Sequence, residues 1–339
     1  MKPLLNTLFV TTQESYLAKD GECVAVHQGD VLKGKVPIHT LGGLVLFGQI
    51  SCSPFLLGHC AKNGVTVSWL TQNGRFLAAM HGPVSGNVLL RREQYRRADD
   101  GDGSAGIAAS MVIGKIANCR TVLMRTARER PGQELDAAVD RLAQCLRRLR
   151  EPLPLNVVRG IEGEAGQAYF GVFDHLVHNA DPAFRFAGRN RRPPLDAINC
   201  LLSFLYTLLV HDVRGALESC GLDPAVGFLH RDRPGRPSLA LDIMEEFRPY
   251  LADRLACTLI NRGQVKAKGF KHTESGAVIM DEATRKEVLT AWQERKQETV
   301  EHPFLQEKMA AGLLCHCQAR LLARYLRGDL DAYPPFVIR

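Results

Sequence analysis

The sequence predicts an α+β protein, with a β-rich, sandwich-like domain at residues 1–85 and a larger all-α domain at residues 86–339. In the first part, short apolar runs are separated by dipeptides that favour tight turns. In the second part, apolar residues recur at the three- and four-residue spacing of amphipathic helices. The chain has 339 residues, the length of about two ordinary domains, which agrees with this division.

The strands of the first domain are predicted in the runs TLFVTT, CVAVH, LVLFG, VTVSWL and FLAAM. The turns between them are predicted at Asp20-Gly21, Gly42-Gly43, Asn63-Gly64 and Asn73-Gly74, because Asn and Gly adopt positive φ values easily. Short strands at such spacing are typical of a small sandwich. No catalytic arrangement is evident there, so we interpret this domain as a scaffold or dimerisation surface.

The second domain is predicted to begin with an arginine-rich helix that ends in a loop at residues 99–107. An amphipathic helix follows at residues 134–150, where leucines and a valine are spaced by three and four. After a basic loop at residues 183–194, Pro193-Pro194 precedes an apolar core helix. From residue 281 the pattern predicts continuous helix to about residue 327.

Composition indicates a cytoplasmic protein that does not cross a membrane. The N-terminus lacks the apolar run of a signal peptide, and the most apolar stretch, residues 197–210, is too short to span a bilayer. Ten scattered cysteines are typical of reduced thiols, and Cys315-His316-Cys317 lacks the further ligands that a zinc site needs. A net charge of +7 is compatible with an anionic partner.

Residues 226–255 combine groups that suit a metal site acting on a phosphodiester. Asp242 and Glu245 are three residues apart on a predicted helix, and His230 precedes them as a further candidate ligand. Neighbouring carboxylates repel each other unless a cation lies between them. The alternative is a solvated helix face whose carboxylates pair with arginines.

A second candidate ligand is Glu162, which shares a predicted helix face with Tyr169, with the small Gly166 between them. The alternative for Glu162 is a first-turn glutamate that interacts with the helix dipole. Asn199 and Tyr206 are polar residues on one side of the apolar helix, and polar groups there need partners. They either support a site or make structural hydrogen bonds.

Basic residues recur along the helical domain and predict a track for a phosphate backbone. The residues predicted to contact DNA are Arg189, Arg191, Arg192, Arg231, Arg236, Arg248, Arg262, Lys266 and Lys268. The alternative is that these side chains belong to solvated faces with no nucleic-acid partner.

Four blocks of sequence, in order, resemble the CRISPR-associated integrase of spacer acquisition, the universal endonuclease-type subunit of CRISPR adaptation. They are RGIEGEAGQAYF, PPLDAINCLLSFLYTLL, GFLHRDRPGRPSLALDIMEEFRP and the tail YPPFVIR. The resemblance covers essentially the whole chain, and it implies a β-rich N-terminal domain followed by a helical catalytic domain. No single block is specific, but four in the fitting order are.

The resemblance implies a Mg²⁺ or Mn²⁺ site formed by Glu162, His230 and Glu245, which would be the catalytic residues. Asp242 matches an auxiliary acidic position beside that site, and Asn199 and Tyr206 match polar positions near the metal. The implied reaction is metal-dependent joining of the 3′-hydroxyl ends of a short duplex to the CRISPR leader–repeat, by transesterification.

The resemblance also implies partners. The family forms a homodimer that assembles around a small adaptation protein and holds DNA, and one subtype also employs an iron–sulfur exonuclease, a further candidate partner. Two other classes of function remain open at this point. One is a non-catalytic DNA-binding scaffold, and the other is a metal-dependent hydrolase of a small phosphorylated metabolite.

Overall fold

The computed structural model describes residues 6–72, 76–80, 82 and 88–338 and has the predicted α+β architecture, strand-rich first and mostly helical afterwards. The strands are β1 Asn6–Val10, β2 Ser15–Asp20, β3 Cys23–Gln28, β4 Val31–Pro37, β5 Leu41–Phe47, β6 Ser51–Cys52, β7 Thr66–Leu70, β8 Phe76–Met80, β9 Phe270–His272, β10 Val278–Met280, β11 Thr299–His302 and β12 Glu307–Ala310. The helices are α1 Pro54–Lys62, α2 Val88–Asp99, α3 Gly101–Glu129, α4 Gln133–Arg148, α5 Leu155–Gly171, α6 Ala197–Ser219, α7 Ser238–Phe247, α8 Arg254–Asn261, α9 Glu282–Gln297 and α10 Leu314–Leu326.

The N-terminal strands form two four-stranded sheets, in the orders β1-β5-β7-β8 and β4-β3-β2-β6. Asp20-Gly21 connects β2 to β3 as predicted, with Gly21 at a φ of 59°. The turn predicted at Asn63-Gly64 is also present, with Gly64 at a φ of 68°, but it joins α1 to β7 rather than two paired strands. The turn predicted at Gly42-Gly43 is wrong, because these residues lie inside β5, which pairs in parallel with β1 and β7 and is reached by crossovers. The predicted turn at Asn73-Gly74 lies outside the described residues.

Two groups of buried apolar residues stabilise the fold. The smaller one lies among the N-terminal strands and α1, and includes Leu17, Leu44 and Leu56. The larger one occupies the helical region, but it also takes in Phe47 and Leu70 from the N-terminal strands. The strand-rich part therefore packs directly on the helices. The predicted domain boundary at residues 85/86 falls outside the described residues, so the division into two domains stays a prediction.

The helical part is not all-α, which corrects the prediction. Two β-hairpins, β9–β10 and β11–β12, interrupt it, and the second separates α9 from α10 in the stretch predicted as continuous helix. The predicted loop at residues 99–107 is mostly the first turns of α3, because Asp100 caps that helix and its glycines are tolerated inside it. Residues 183–194 form the irregular basic segment that was expected, apart from one short 3₁₀ turn.

Helices α3 and α6 lie at the centre of the larger core. Both are long and apolar enough to cross a membrane by length and composition alone, and α6 continues well beyond the apolar run recognised in the sequence. In the fold, 61% and 56% of their most apolar windows are buried against other elements. A core position inside the protein therefore accounts for their composition.

Candidate metal centre and nucleic-acid interface

The candidate site is built around Asp242, a fully buried carboxylate on α7. Its Oδ2 accepts the backbone N–H groups of Phe228 at 2.6 Å and Leu229 at 2.9 Å. Its Oδ1 accepts the backbone N–H of His230 at 2.9 Å and pairs with the imidazole Nδ1 at 2.6 Å. Since the carboxylate accepts, the Nδ1 atom donates, and the lone pair of Nε2 is left available. Asp242 therefore fixes both the backbone and the ring orientation of His230.

This arrangement requires a glycine at position 227. A Cβ atom built there would lie 2.6 Å from Asp242 Oδ2 and 2.8 Å from the backbone carbon of Ser238. Neither neighbour is the free end of a flexible side chain, so any larger residue would push the loop away from α7. The loop that carries Gly227 and His230 therefore packs closely against the first turns of α7, which carry Asp242.

Glu162 and Glu245 meet at a residue that the sequence analysis did not single out, Lys115 of α3. The Lys115 ammonium donates to Glu162 Oε1 and lies 2.8 Å from Glu245 Oε2. The other oxygen of Glu245 pairs with Arg248 at 2.6 Å and lies 4.0 Å from His230 Nε2. The three predicted ligands are therefore together, with Lys115 between the two glutamates.

The electrostatics of the cluster follow from its burial. Burial alone would raise the pKa of Glu245, but the cations of Arg248 and Lys115 outweigh it and hold that pKa well below its ordinary value. Burial would lower the pKa of Lys115, but Glu245 and Glu162 outweigh it and raise that pKa. Both groups are therefore charged at neutral pH.

The alternatives for the acidic residues fail in their main point. Asp242 and Glu245 are 0% and 1% exposed, so they do not form a solvated helix face, although Glu245 does pair with an arginine, Arg248, as that alternative expected. Glu162 lies beyond the first turn of α5, which contains no acidic residue, so it is not a dipole-capping glutamate. Asp242, Glu245 and Glu162 are therefore neighbouring carboxylates, and their negative charges need a positive partner.

The donor set suits a divalent metal ion. Glu162 and Glu245 supply hard oxygen ligands, and His230 supplies a nitrogen whose opposite ring atom is held by a carboxylate, a common arrangement at metal sites. Glu245 Oε2 is buried, and the Lys115 ammonium forms an ion pair with it at 2.8 Å. Among the described residues, no three His, Cys, Asp or Glu side chains already have the geometry of a metal site, and the Lys115 ammonium lies between the two glutamates.

A cavity of about 610 Å³ opens beside this cluster and is lined by Glu162, Lys115 and Arg248. The cavity is also lined by Tyr169 and Tyr206, whose hydroxyls donate to Asp253 at 3.1 and 2.7 Å. Its lining further includes glycines, aromatic residues and cations, namely Gly163, Gly166, Phe170, Phe186, Arg189 and Arg191. The combination of aromatic faces and guanidinium groups suits stacked bases and phosphates.

Asn199 and Tyr206, predicted near the metal, contact the arginines of the cavity. Asn199 is fully buried, and its Oδ1 accepts Arg189 at 2.6 Å while its amide donates to Gly188 at 2.8 Å, which shapes the basic loop. The ring of Tyr206 lies beneath Arg189 and Arg248, at 5.3 and 4.9 Å from their guanidinium carbons. Their contacts in the structure are therefore with the basic wall of the cavity rather than with the three ligands.

We expect Asp253→Asn to change how stability depends on pH. Burial raises the pKa of Asp253 to about 6, from an ordinary value of 3.8. As pH rises through this interval, the unfolded carboxyl ionises while the folded one keeps its proton, so the wild type loses stability between about pH 4 and 6. The loss approaches about 3 kcal/mol, from about 1.4 kcal/mol per pKa unit.

Asparagine does not ionise, and it still offers hydrogen bonds to both tyrosines, so the variant lacks this decline. Urea denaturation at pH 4, 5, 6 and 7 measures the difference in free energy of unfolding between the two proteins. A difference that stays constant over this range would contradict the assigned role of Asp253.

The predicted DNA contacts divide into three groups. Arg189 and Arg191 line the cavity. Arg236 interacts electrostatically with Arg191 and Arg192, so the basic loops at 183–194 and 231–236 approach each other. Burial lowers the pKa of Arg236, and the neighbouring cations of Arg233, Arg192 and Arg191 lower it further. Arg231, Arg262, Lys266 and Lys268 are exposed, the last three at or beyond the end of α8.

Arg248 is the exception, because its side chain is only 12% exposed and pairs with Glu245. It lies in the cavity wall, so we describe it as part of the candidate centre rather than of an outer surface. Like Lys115, it has a signal in the sequence. A single lysine within the apolar run of α3, and an arginine one turn after an acidic residue, both imply buried charge partners.

The chain matches known proteins over most of its length. The family model described as CRISPR associated protein Cas1 matches residues 8–294. The chain is 62% identical to CRISPR-associated endonuclease Cas1 1 of Chlorobaculum tepidum over 343 positions, which cover 100% of each chain. It is also 36% identical to a CRISPR-associated exonuclease Cas4/endonuclease Cas1 fusion of Geobacter sulfurreducens, covering 98% of this chain and 60% of the fusion.

Solved structures show the same fold. TM1797, a CAS1 protein from Thermotoga maritima, has a TM-score of 0.83 at 21% identity and covers 97% of this chain and 98% of its own. A casposase bound to integration product has a TM-score of 0.84 at 22% identity, covering 98% of this chain and 94% of its own. The match to the family model and the identity to the sequence relatives show that the chain belongs to the Cas1 family of CRISPR-associated proteins.

Proposed function

We propose that this protein is the metal-dependent integrase and endonuclease of CRISPR adaptation, which joins 3′-hydroxyl ends of short duplex DNA to the CRISPR array. The observation that carries the proposal is the convergence of Glu162, His230 and Glu245 beside a basic cavity, in a chain of the Cas1 family. Transesterification of a phosphodiester needs positioning and charge stabilisation, with no protein nucleophile. The site offers these features.

Glu162, Glu245 and His230 Nε2 would hold Mg²⁺ or Mn²⁺, and the nitrogen donor favours Mn²⁺ of the two. When bound, the ion would lower the pKa of the attacking hydroxyl and neutralise charge on the phosphoryl oxygens. Asp242 keeps the imidazole oriented, through its contact with Nδ1 at 2.6 Å. Arg248 holds the second glutamate in place and completes the basic wall of the cavity.

The basic residues would bind the DNA backbone without reading its sequence. Arg189 and Arg191 would contact phosphates next to the reacting bond, since they line the same cavity as Glu162. The outer contacts would come from Arg192, Arg231, Arg236, Arg262, Lys266 and Lys268. Their guanidinium and ammonium groups match phosphate oxygens in charge and in hydrogen-bonding geometry.

We infer a cytoplasmic protein that forms a homodimer and assembles with a small CRISPR adaptation protein. One structure with this fold is named a Cas6-RT-Cas1--Cas2 complex, with a TM-score of 0.82 at 22% identity. The Geobacter sulfurreducens relative joins a Cas4 exonuclease and a Cas1 endonuclease in one chain. These names support a second chain of Cas2 type, and an iron–sulfur exonuclease as a further partner of this protein.

Strand transfer tests the proposal. A labelled short duplex is incubated with a supercoiled plasmid that carries a leader and repeat, together with the protein and the small partner, in Mn²⁺ or in EDTA. We expect joined product in Mn²⁺ only, and a loss of at least about a hundredfold in His230→Ala, because one of three ligands is removed. Binding of the same duplex in EDTA, measured by fluorescence anisotropy, is expected to persist in that variant.

Tight binding of the duplex without any joined product, under all metal conditions, would overturn the proposal. It would favour a DNA-binding scaffold, in which the acidic cluster only pairs with Lys115 and Arg248. Joining that survives in His230→Ala would contradict the assignment of the ligands while keeping the reaction.

A further inference from the structure

The ammonium of Lys115 occupies the space between the two glutamates that we propose as metal ligands. It lies 2.8 Å from Glu245 Oε2 and donates to Glu162 Oε1. The side chains of Lys115 and Glu245 are only 10% and 2% exposed, so water contributes little to stabilising either charge. A cation at this depth persists only because the two carboxylates compensate it.

The position of Lys115 follows from the packing of α3. The neighbouring Gly114 has Glu246 Cγ and Pro335 Cβ within 3.0 and 3.1 Å of the point where its own Cβ would be. A Cβ atom there would require Glu246 of α7 or the C-terminal tail to shift by a few tenths of an ångström. The close approach of the two helices places Lys115 within reach of Glu245.

We infer that Lys115 is a built-in competitor of the divalent metal. Its ammonium holds Glu162 and Glu245 together when no metal is bound, and it leaves the space between them when the metal binds. This inference rests on the proposed function, because it takes these residues and His230 as the ligands. A metal held by both carboxylates would need the space that the ammonium now occupies, and two cations would repel each other there.

Lys115 and Arg248 both line the cavity of about 610 Å³, but Lys115 is held less firmly. The four-carbon stem of a lysine is flexible, so its ammonium can turn into that cavity. Arg248 is fixed by its contact with Glu245 Oε1 at 2.6 Å and by the ring of Tyr206 beneath it. The metal would therefore displace the lysine and leave the arginine. The displaced ammonium would join Arg189 and Arg191 in the cavity, where phosphate is expected.

The test is Mn²⁺ binding to Lys115→Met, a neutral side chain of similar length. We expect the dissociation constant for Mn²⁺, measured by titration calorimetry on the full chain, to fall by about tenfold or more, because the metal no longer displaces an ion pair. The melting temperature in EDTA is expected to fall, and its rise on adding Mn²⁺ to become larger. Lys286→Met is the matched control, since Lys286 is an exposed lysine of α9.

A measurement on the unmodified chain keeps the test valid if Lys115→Met does not fold. Mass spectrometry after brief treatment with an amine-acetylating reagent reports how accessible each lysine is. We expect acetylation of Lys115 to increase several-fold on adding saturating Mn²⁺, while that of Lys286 stays constant. Unchanged or weaker Mn²⁺ binding by Lys115→Met, or unchanged acetylation, would overturn the inference.

Glu162→Gln separates this inference from the proposed function. If that variant loses Mn²⁺ affinity while Lys115→Met gains none, the ligand assignment stands and only the competition is wrong. If Glu162→Gln binds Mn²⁺ as tightly as the wild type, the ligand assignment itself is wrong, and the competition by Lys115 is wrong with it.

Discussion

Asp242→Asn is expected to disrupt the site although Asp242 is not a proposed ligand. The variant should lose about 2–6 kcal/mol in free energy of unfolding, because two buried donors are left without an acceptor at about 1–3 kcal/mol each. Each carboxylate oxygen accepts two N–H groups, at distances from 2.6 to 2.9 Å. An asparagine has one acceptor oxygen, so its amide must face either Phe228 and Leu229 or the two donors of His230.

The same substitution is expected to weaken Mn²⁺ binding by about 10- to 100-fold, the usual effect of removing a carboxylate that orients a metal-binding histidine. Joining of DNA should fall at least as much. Urea denaturation and titration calorimetry measure the two effects separately. Mn²⁺ affinity equal to that of the wild type, in a variant that is folded, would contradict the role of Asp242 in orienting His230.

Asp232→Asn is the matched control, because it makes the same chemical change in the same loop at an exposed position. It should change the free energy of unfolding by no more than about 0.5 kcal/mol, which is typical of surface substitutions. An effect of Asp232→Asn as large as that of Asp242→Asn would mean that loop charge, rather than the hydrogen bonds, determines stability.

The order of strands and helices along the chain was predictable from the sequence, because the spacing of apolar residues and the residues that favour turns are local signals. The apolar periodicity predicted the helices near residues 134–150 and 197–210, and the structure has α4 and α6 there. The parallel pairing of β1, β5 and β7 was not predictable in this way. It depends on contacts between strands far apart in the sequence, and a glycine pair such as Gly42-Gly43 is compatible with a strand as well as a turn.

The acidic residues and the histidine of the site were predictable from the sequence, whereas the carboxylates that Lys115 contacts were not. Glu162, His230 and Glu245 were expected together from the resemblance, and the structure brings them together around Lys115. Which lysine or arginine faces a carboxylate depends on how α3 packs on α5 and α7. No spacing along one segment encodes that packing for Lys115. The three-residue spacing from Glu245 to Arg248 is a local signal of their pairing, but the sequence analysis interpreted Arg248 as a DNA contact.

The C-terminal tail raises a second large expected effect. Glu246, adjacent to the proposed ligand Glu245, is fully buried and holds the tail rather than a metal. Its Oε1 accepts the hydroxyl of Tyr333 at 2.6 Å, and its Oε2 accepts the backbone N–H of Phe336 at 2.6 Å and Gln318 at 2.9 Å. The ring of Phe336 packs on Phe247 at 5.4 Å between centroids. The tail thereby fixes the end of α7 that carries Glu245.

Removal of residues 333–339 is expected to destabilise the protein by on the order of 5 kcal/mol or more. Loss of a buried aromatic side chain costs about 3–5 kcal/mol, and loss of the donors to a buried carboxylate adds to this. Burial raises the pKa of Glu246 to about 8, and the hydrogen bonds from Tyr333, Phe336 and Gln318 act in the opposite direction. Without the tail, only Gln318 of those donors remains.

A smaller change separates the hydrogen bond from the bulk of the tail. Tyr333→Phe keeps the ring and removes one hydroxyl, and should cost about 1–3 kcal/mol, the penalty for a buried acceptor that loses a donor. Tyr95→Phe is the matched control, since its hydroxyl donates to Asp223 at 2.8 Å and the residue is 39% exposed. Because water replaces that donor, we expect a cost below about 0.5 kcal/mol there. Equal effects of the two substitutions in urea denaturation would show that burial of Glu246 does not determine how firmly the tail holds α7.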